Sequence, residues 1–363
     1  MAISMALLVV GLALLTYSAD HFVVGAGRLA LGLRVSAVVV GAVVIGFGTS
    51  APEILVAASA AARDDLNFGA GNMIGSVVAN LTLVLGVAAL MTPLRVSRTT
   101  LLREAPLSIG AVAAFALVIQ GQLTRLEGVL MLSGLIAALT LLIWQSRRDT
   151  DVGAGEIDVV LEDLDLDRLE VMDLRIEGFR TLAGLVGTVV GSQMLVEAAL
   201  DIADSAGTGS GFVGLSLVAI GTSLPELVTL VVAALKGSTD LIIGNLLGSV
   251  MFNGFTIGAV MGLIGPGEVT DSALTGFGSA IMLAVVLASA LFMLTGRTVV
   301  RWEAIVLLVT YAVTLPLMAA SSKGSDSVGP QISRCASVSA AAPGAAGVDS
   351  PEAASRSSAS LRS

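Results

Sequence analysis

A stretch of 35 residues, GFGTSAPEILVAASAAARDDLNFGAGNMIGSVVAN from Gly46 to Asn80, recurs without a gap 173 residues later as AIGTSLPELVTLVVAALKGSTDLIIGNLLGSVMFN, Ala219 to Asn253. Gly48, Thr49, Ser50, Pro52 and Glu53 return as Gly221, Thr222, Ser223, Pro225 and Glu226. Gly71, Asn72, Gly75, Ser76 and Asn80 return as Gly244, Asn245, Gly248, Ser249 and Asn253. Each copy lies in a strongly apolar background and carries one glutamate in it. A carboxylate in hydrocarbon is costly and is kept where it faces a cavity or pathway. Two matched apolar segments interrupted by Gly and Pro place a binding site where the copies meet.

Only 13% of the residues are charged and 55% are hydrophobic, with a mean hydropathy of +0.93. Soluble domains carry about 25% charged residues, so the composition is that of an integral membrane protein. The net charge of −9 is weighted by an acidic stretch between Asp149 and Glu177, and no nucleic-acid partner is expected. The single cysteine, Cys335, cannot form an internal disulfide, and with one histidine, His21, there is no Cys/His metal cluster. Met1 to Tyr17 is apolar but lacks the basic start of a cleavable signal peptide.

A span needs about 20 apolar residues. Ten fit along the chain, near 2–24, 35–61, 69–92, 105–120, 127–145, 180–200, 211–235, 241–264, 274–295 and 302–320. The expected architecture is all-α: a first five-helix repeat over 1–148, an acidic linker over 149–179, a second five-helix repeat over 180–320 and a disordered tail over 321–363. An odd number of spans per repeat inverts the second copy relative to the first. Basic residues test this through the positive-inside rule. With the N-terminus outside, the short inner loops hold Arg28, Arg34, Arg95, Arg98, Arg103, Arg147, Arg148, Lys236, Arg297 and Arg301, and the outer loops hold Arg63 and Arg125. The expected location is the plasma (inner) membrane, with the linker cytoplasmic and both termini outside.

The linker invites comparison with a calcium-sensing loop through Asp163, Asp165 and Asp167, but Arg168 stands where that loop needs glycine and Leu174 where it needs glutamate. It reads as a solvated connector. The tail, rich in Ser, Ala, Gly and Pro, cannot bury enough surface to fold.

The repeated motif has a chemistry of its own. Pro52 has no N–H, so the carbonyl of Gly48 loses its helical partner, and Pro225 does the same to Gly221. The helix is expected to break around Gly48-Thr49 and Gly221-Thr222. Freed carbonyls at membrane depth persist where protein, water or a bound ion satisfies them. Glu53 and Glu226 follow the breaks, Ser50 and Ser223 share their turn, and Ser76, Asn80, Ser249 and Asn253 add neutral oxygens. This all-oxygen set suits hard cations, and calcium takes 6–8 oxygens at about 2.3–2.6 Å. Two carboxylates are neutralised by one divalent ion or by two or more monovalent ions sharing their oxygens. Occupancy by calcium and by sodium is then mutually exclusive, as exchange requires. Packing explains small residues such as Gly41, Gly110, Gly128, Gly184, Gly187 and Gly191, but not a glutamate placed twice in the membrane.

The pattern G-T-S-x-P-E followed by G-N-x-x-G-S-x-x-x-N, present twice, resembles the alpha repeats of the cation/calcium exchanger superfamily, nearest its short prokaryotic sodium/calcium exchanger type. The resemblance covers about Met1 to Ala320 and is specific in the repeats. It implies ten helices in two inverted halves, with the second, third, seventh and eighth broken at the ion site. It implies calcium ligation by Glu53 and Glu226 and by the main-chain oxygens of Thr49 and Thr222. Ser50, Ser76, Ser223 and Ser249 become sodium ligands, with Asn80 and Asn253 at the centre. Potassium-dependent relatives carry Asp at the position of Asn253, so potassium co-transport is not expected.

His21 beside Asp20 reads as an interfacial histidine, and Glu104 with Pro106 as the start of the fourth helix. Three transport modes follow from these residues: calcium/sodium antiport, calcium/proton antiport on the same fold, and passive cation conduction. No cofactor is implied, nor is an enzyme: there is no nucleophile–His pair, no intramembrane Asp pair and no metal-binding His motif. Stoichiometry and oligomeric state are not encoded in any feature of the chain.

Overall fold

The structure, a computed structural model, describes residues 2–32, 50–146, 174–224, 226–227, 230–231, 234 and 239–326. In chain order its elements are α1 (Ala2–Gly32), α2 (Ser50–Ala61), α3 (Leu66–Met91), β1 (Leu94–Arg95), α4 (Arg98–Val118), β2 (Gln122–Leu123) and α5 (Arg125–Ser146). The second half comprises α6 (Leu174–Ala206), α7 (Ser210–Thr222), α8 (Thr239–Ile264), β3 (Gly267–Glu268), α9 (Leu274–Leu294), β4 (Thr298–Val299) and α10 (Arg301–Asp326). Eight of these helices are long and apolar enough to cross a membrane, and α2 and α7 are shorter apolar helices. The chain is a mostly helical, multi-pass membrane protein. The expected spans at 35–61 and 211–235 correspond to α2 and α7, and the first part of the former lies outside the described residues.

Burial sorts the helices into centre and periphery. The most apolar windows of α3 and α8 are 83% and 72% buried, against 22% for α5 and 28% for α10. The two central helices are those that carry the G-N-x-x-G-S motif. Around them Met73, Ile74 and Val77 of α3 share a core with Phe115 of α4, Met131 of α5, Met261 of α8 and Met282 of α9. Lipid-facing helices need only one buried side, and α5 and α10 accordingly expose long apolar residues such as Leu126, Leu130, Val309 and Val313.

Small residues set how closely the helices pack. Along α1 and α6, a Cβ at Gly184 would strike the Phe22 backbone and one at Gly187 the Ser18 hydroxyl, and Gly191 backs onto Leu15. Gly128 of α5 crosses Gly262 of α8 with backbone atoms 3.0 Å from its would-be Cβ. These match the packing role expected of them. Gly110 does not: a Cβ there meets nothing within 4 Å, so no close neighbour accounts for that glycine. Gly41 lies outside the described residues.

Two short antiparallel clips join the halves. β1 pairs with β4 (Leu94↔Val299, Arg95↔Thr298), and β2 pairs with β3 (Gln122↔Glu268, Leu123↔Gly267). In repeat register β1 corresponds to β3, since Thr92-Pro93 returns as Gly265-Pro266. Likewise β2 corresponds to β4, since Arg125-Leu126-Glu127 returns as Arg301-Trp302-Glu303. The two pairings therefore exchange under the repeat. The caps do as well: Glu127 accepts from the Thr124 N–H at 2.7 Å, and Glu303 from the Val300 N–H at 2.9 Å.

Expectations change for five helices. Helix α4 starts at Arg98, not near 105, because Ser97 caps it and accepts from the Thr100 N–H at 3.0 Å. Glu104 and Pro106 are therefore interior, and the single Ser108 hydroxyl proton is within reach of the carbonyls of Glu104 (2.8 Å) and Leu247 (2.7 Å). Helix α8 runs unbroken through Asn253, for it contains no proline and its glycines cost less than a break. Helix α3 is not cut either. It widens into a π turn over Ala79–Val84, with a second such turn over Gly214–Val218 in α7. Helix α6 begins inside the segment read as linker, and α10 continues past Ala320 to Asp326.

Candidate functional site

The two copies of the G-T-S-x-P-E motif lie at the described start of α2 and at the end of α7. Glu53 lies on α2, near the first of its described residues. Helix α7 ends at Thr222, and Ser223 leaves helical geometry with φ −87° and ψ 1°, its N–H still held by the Ala219 carbonyl at 3.1 Å. Leu224 is helical again, and so is Glu226. This interruption follows Gly221, whose carbonyl has no N–H to accept from at Pro225. The corresponding Gly48-Thr49 step lies outside the described residues.

Ser76 and Asn80 come from the middle of α3, and Ser249 and Asn253 from the middle of α8. Asn80 stands within the π turn, the type of local widening that re-aims side chains at functional positions. Ser50, Glu53, Ser76, Asn80, Thr222, Ser223, Glu226, Ser249 and Asn253 are all buried, none exposed by more than 3%. Glu226 is close enough to feel the charge of Glu53, and Thr222 lies beside the Glu53 carboxyl. The Thr222 hydroxyl itself donates to the Ala219 carbonyl at 3.3 Å.

What distinguishes seven of these side chains is that buried polar atoms on them lack a hydrogen-bond partner. Both carboxylate oxygens of Glu53 and of Glu226 are buried without a hydrogen-bond partner, as are the hydroxyls of Ser50, Ser76 and Ser223 and both amide atoms of Asn80 and Asn253. Protein interiors pair more than about 90% of such groups. Burying a charge without compensation costs several kcal/mol. Unpaired carboxylate, hydroxyl and amide oxygens suit desolvated cations, calcium taking 6–8 such oxygens, while the Asn80 and Asn253 amide nitrogens are donors and would not ligate one. Among the described residues no group of three or more His, Cys, Asp or Glu could hold a metal ion, so a cation here would rely on two carboxylates and neutral oxygens.

One residue outside the expected set belongs to this region. Asn72 is fully buried; its side-chain amide donates to the Glu53 carbonyl at 3.4 Å and its own oxygen has no partner. Its recurrence as Asn245 was the available signal. The two motif copies differ in surroundings. Gly71 and Gly75 are buried, and a Cβ on them would collide with the carbonyl oxygens of Gly211 and Leu215 on α7. Gly244, Asn245 and Gly248 are only half-buried, and a Cβ at Gly248 meets nothing within 4 Å.

Residues 3–144 and 179–319 match the family described as sodium/calcium exchanger protein. The chain belongs to that family. Its similarity to the Alkalimonas amylolytica protein CaxA is 36% identity over 86% of this chain and 97% of that one. It is 29% identical to the sodium/calcium exchanger MaX1 of Methanosarcina acetivorans, over 86% and 97% of the two chains. Among solved structures, it resembles the sodium-calcium exchanger NCX_Mj soaked with 100 mM Na+ and 10 mM Sr2+. The TM-score is 0.56 at 28% identity, covering 87% of this chain and 99% of that one.

Elsewhere in this family member, other candidate polar residues have local partners. His21 lies 3.6 Å from Asp20 and stacks on Tyr17 with ring centroids 4.3 Å apart. Asp65 caps α3, accepting from the Phe68 N–H at 2.9 Å and from the Ser210 hydroxyl at 3.0 Å. Glu197 lies 3.8 Å from Arg63. All three have structural roles away from the unpaired oxygens.

Proposed function

We propose that this protein is a secondary antiporter exchanging calcium for sodium across the plasma membrane by alternating access. The observation that carries the proposal is the pair of buried glutamates with all four oxygens unpaired. One calcium ion neutralises both charges; sodium ions sharing the same oxygens do so in its place, and the two states exclude each other. In this reading Glu53 and Glu226 ligate calcium with the main-chain oxygens of Thr49 and Thr222. Ser50, Ser76, Ser223 and Ser249 serve sodium, and Asn80 and Asn253 complete the centre. With Asn at both central positions there is no third carboxylate to demand potassium. The names of MaX1 and NCX_Mj support the choice of ions.

The same reading takes the fold as ten spans in two inverted halves. The exchange of clip partners under the repeat supports the inversion, and so does their charge: the β1·β4 end carries Arg95, Arg98, Arg297 and Arg301, while the β2·β3 end carries Arg125 against Glu127, Glu268 and Asp271. By the positive-inside rule the β1·β4 end is cytoplasmic, with the acidic linker on that side and both termini outside. The unequal surroundings of Gly71-Asn72-Gly75 and Gly244-Asn245-Gly248 support alternating access, because an inverted pair opens to one side while its counterpart is closed.

The test is calcium flux into proteoliposomes under imposed gradients. An outward sodium gradient should drive saturable calcium uptake, and proton or potassium gradients alone should not. Uptake driven by a proton gradient without sodium would assign the coupling to protons. Calcium conduction without any counter-gradient would make the protein a channel.

A further inference from the structure

The β1·β4 clip gathers four guanidinium groups at the point where two helices enter the membrane. Arg95 lies on β1 opposite Thr298, and Arg297 accepts from the Val96 N–H through its carbonyl at 2.9 Å. Arg98 opens α4 and Arg301 opens α10. All four side chains are exposed, and none makes an ion pair among the described residues. The nearby carboxylate of Glu303 is buried and already committed, one oxygen accepting from Val300 N–H at 2.9 Å and the other from the Thr295 hydroxyl at 3.1 Å. The counterpart clip, β2·β3, has the same backbone pairing but carries Gln122 and Glu268 on the paired strands. The positive cluster is therefore not imposed by the clip itself.

An apolar track begins directly below this cluster. Trp302, 60% exposed, follows Arg301 and meets Phe292 edge-on, with ring centroids 5.8 Å apart. Ile305, Val306, Val309 and Val313 continue the exposed stripe along α10 at helical spacing. A multivalent basic head above a continuous lipid-facing stripe matches the two ends of one molecule, an anionic headgroup and its acyl chain. Basic pockets at the ends of spans take such headgroups, and Arg forks phosphate with paired N–H bonds.

We propose that the β1·β4 clip is a binding site for the phosphate of an anionic phospholipid, whose acyl chain lies along the Trp302–Val313 stripe of α10. The inference rests on the membrane-spanning fold and is independent of which ions the protein transports. The phosphate bridges strands contributed by both halves and thus ties the start of α4 to the start of α10.

The chain contains two tryptophans, Trp144 and Trp302, so a Trp144→Phe variant leaves Trp302 as the sole reporter. Purified full-length protein is reconstituted in vesicles of phosphatidylcholine containing either brominated phosphatidylglycerol or brominated phosphatidylcholine, and quenching is measured. The brominated anionic lipid should associate with the Trp302 site roughly fivefold or more over the zwitterionic one, the effect of about one well-placed basic contact. The preference should disappear at about 1 M salt, where the Debye length is about 3 Å, and in the Arg95→Gln/Arg301→Gln variant. Equal quenching by the two lipids in the unmutated clip overturns the proposal and leaves the arginines as topological signals only. So does a preference untouched by both salt and the double variant. Soluble glycerol phosphate at millimolar concentration should not relieve quenching; if it does, the site recognises a free phosphate and the lipid assignment falls.

Discussion

Glu53→Gln separates charge from structure at the site, because the two oxygens it changes are buried without a partner at hydrogen-bond geometry, the nearby Thr222 hydroxyl donating to Ala219 instead. Glutamine fills nearly the same volume, and Glu53 is fully buried, so packing is preserved. What is lost is one of the two negative charges facing the cation. Breaking a buried charge pair by removing one member costs about 3–5 kcal/mol, a factor of roughly two hundred to several thousand in calcium affinity. Sodium should suffer less, since the remaining Glu226 neutralises one monovalent ion. In the absence of calcium and sodium the sign reverses: the variant removes like-charge repulsion with Glu226 and should melt no lower than the parent. The assay pairs sodium-driven uptake of radiolabelled calcium into proteoliposomes with thermal unfolding in ion-free detergent solution. Calcium uptake within about threefold of the parent, under 1 kcal/mol of lost binding, would refute the ligand role. A clearly lower melting temperature would show that Glu53 holds the fold rather than the ion.

Gly71→Ala should destabilise the protein by about 1–3 kcal/mol, the cost of overpacking, because its Cβ runs into the Gly211 carbonyl. Gly110→Ala, with open space around it, should instead raise thermal stability by about 0.5–1 kcal/mol; thermal melts of the two variants side by side check both. Cys335, the only cysteine, serves as a native topology label. A membrane-impermeant maleimide should reach it from the outside of intact cells, and labelling confined to inverted vesicles would mean that the span count or the inversion is wrong.

The ungapped repeat made a candidate site legible because its chemistry is local: each copy carries its own glutamate, serine, asparagine and helix-breaking proline within 35 residues. Every site residue expected from it that the structure describes is buried, and eight of ten expected spans are long apolar helices. Helix interruptions were less legible. Pro225 reports a lost hydrogen bond, and the chain does interrupt α7 at Ser223. No such chemistry marks α3 or α8, where one is widened and the other continuous. The start of α4 was misplaced because Pro106 suggests a first turn, whereas Ser97 supplies the actual cap. Gly110 and Gly128 look alike as letters. Only the neighbouring helix decides which glycine is needed for close approach, and Asn72 acquires its role the same way, from the Glu53 carbonyl it meets in space.

The clips impose an order on biosynthesis. Leu94-Arg95 is made long before its partner Thr298-Val299; the gap is about 200 residues, or roughly 10–40 s at ribosomal speed. Until then the strand edge must be kept wet or chaperoned. The β2·β3 clip also waits for residues of the second half. Neither repeat can therefore satisfy its own strand edges. A half-length chain would have to borrow them from another copy.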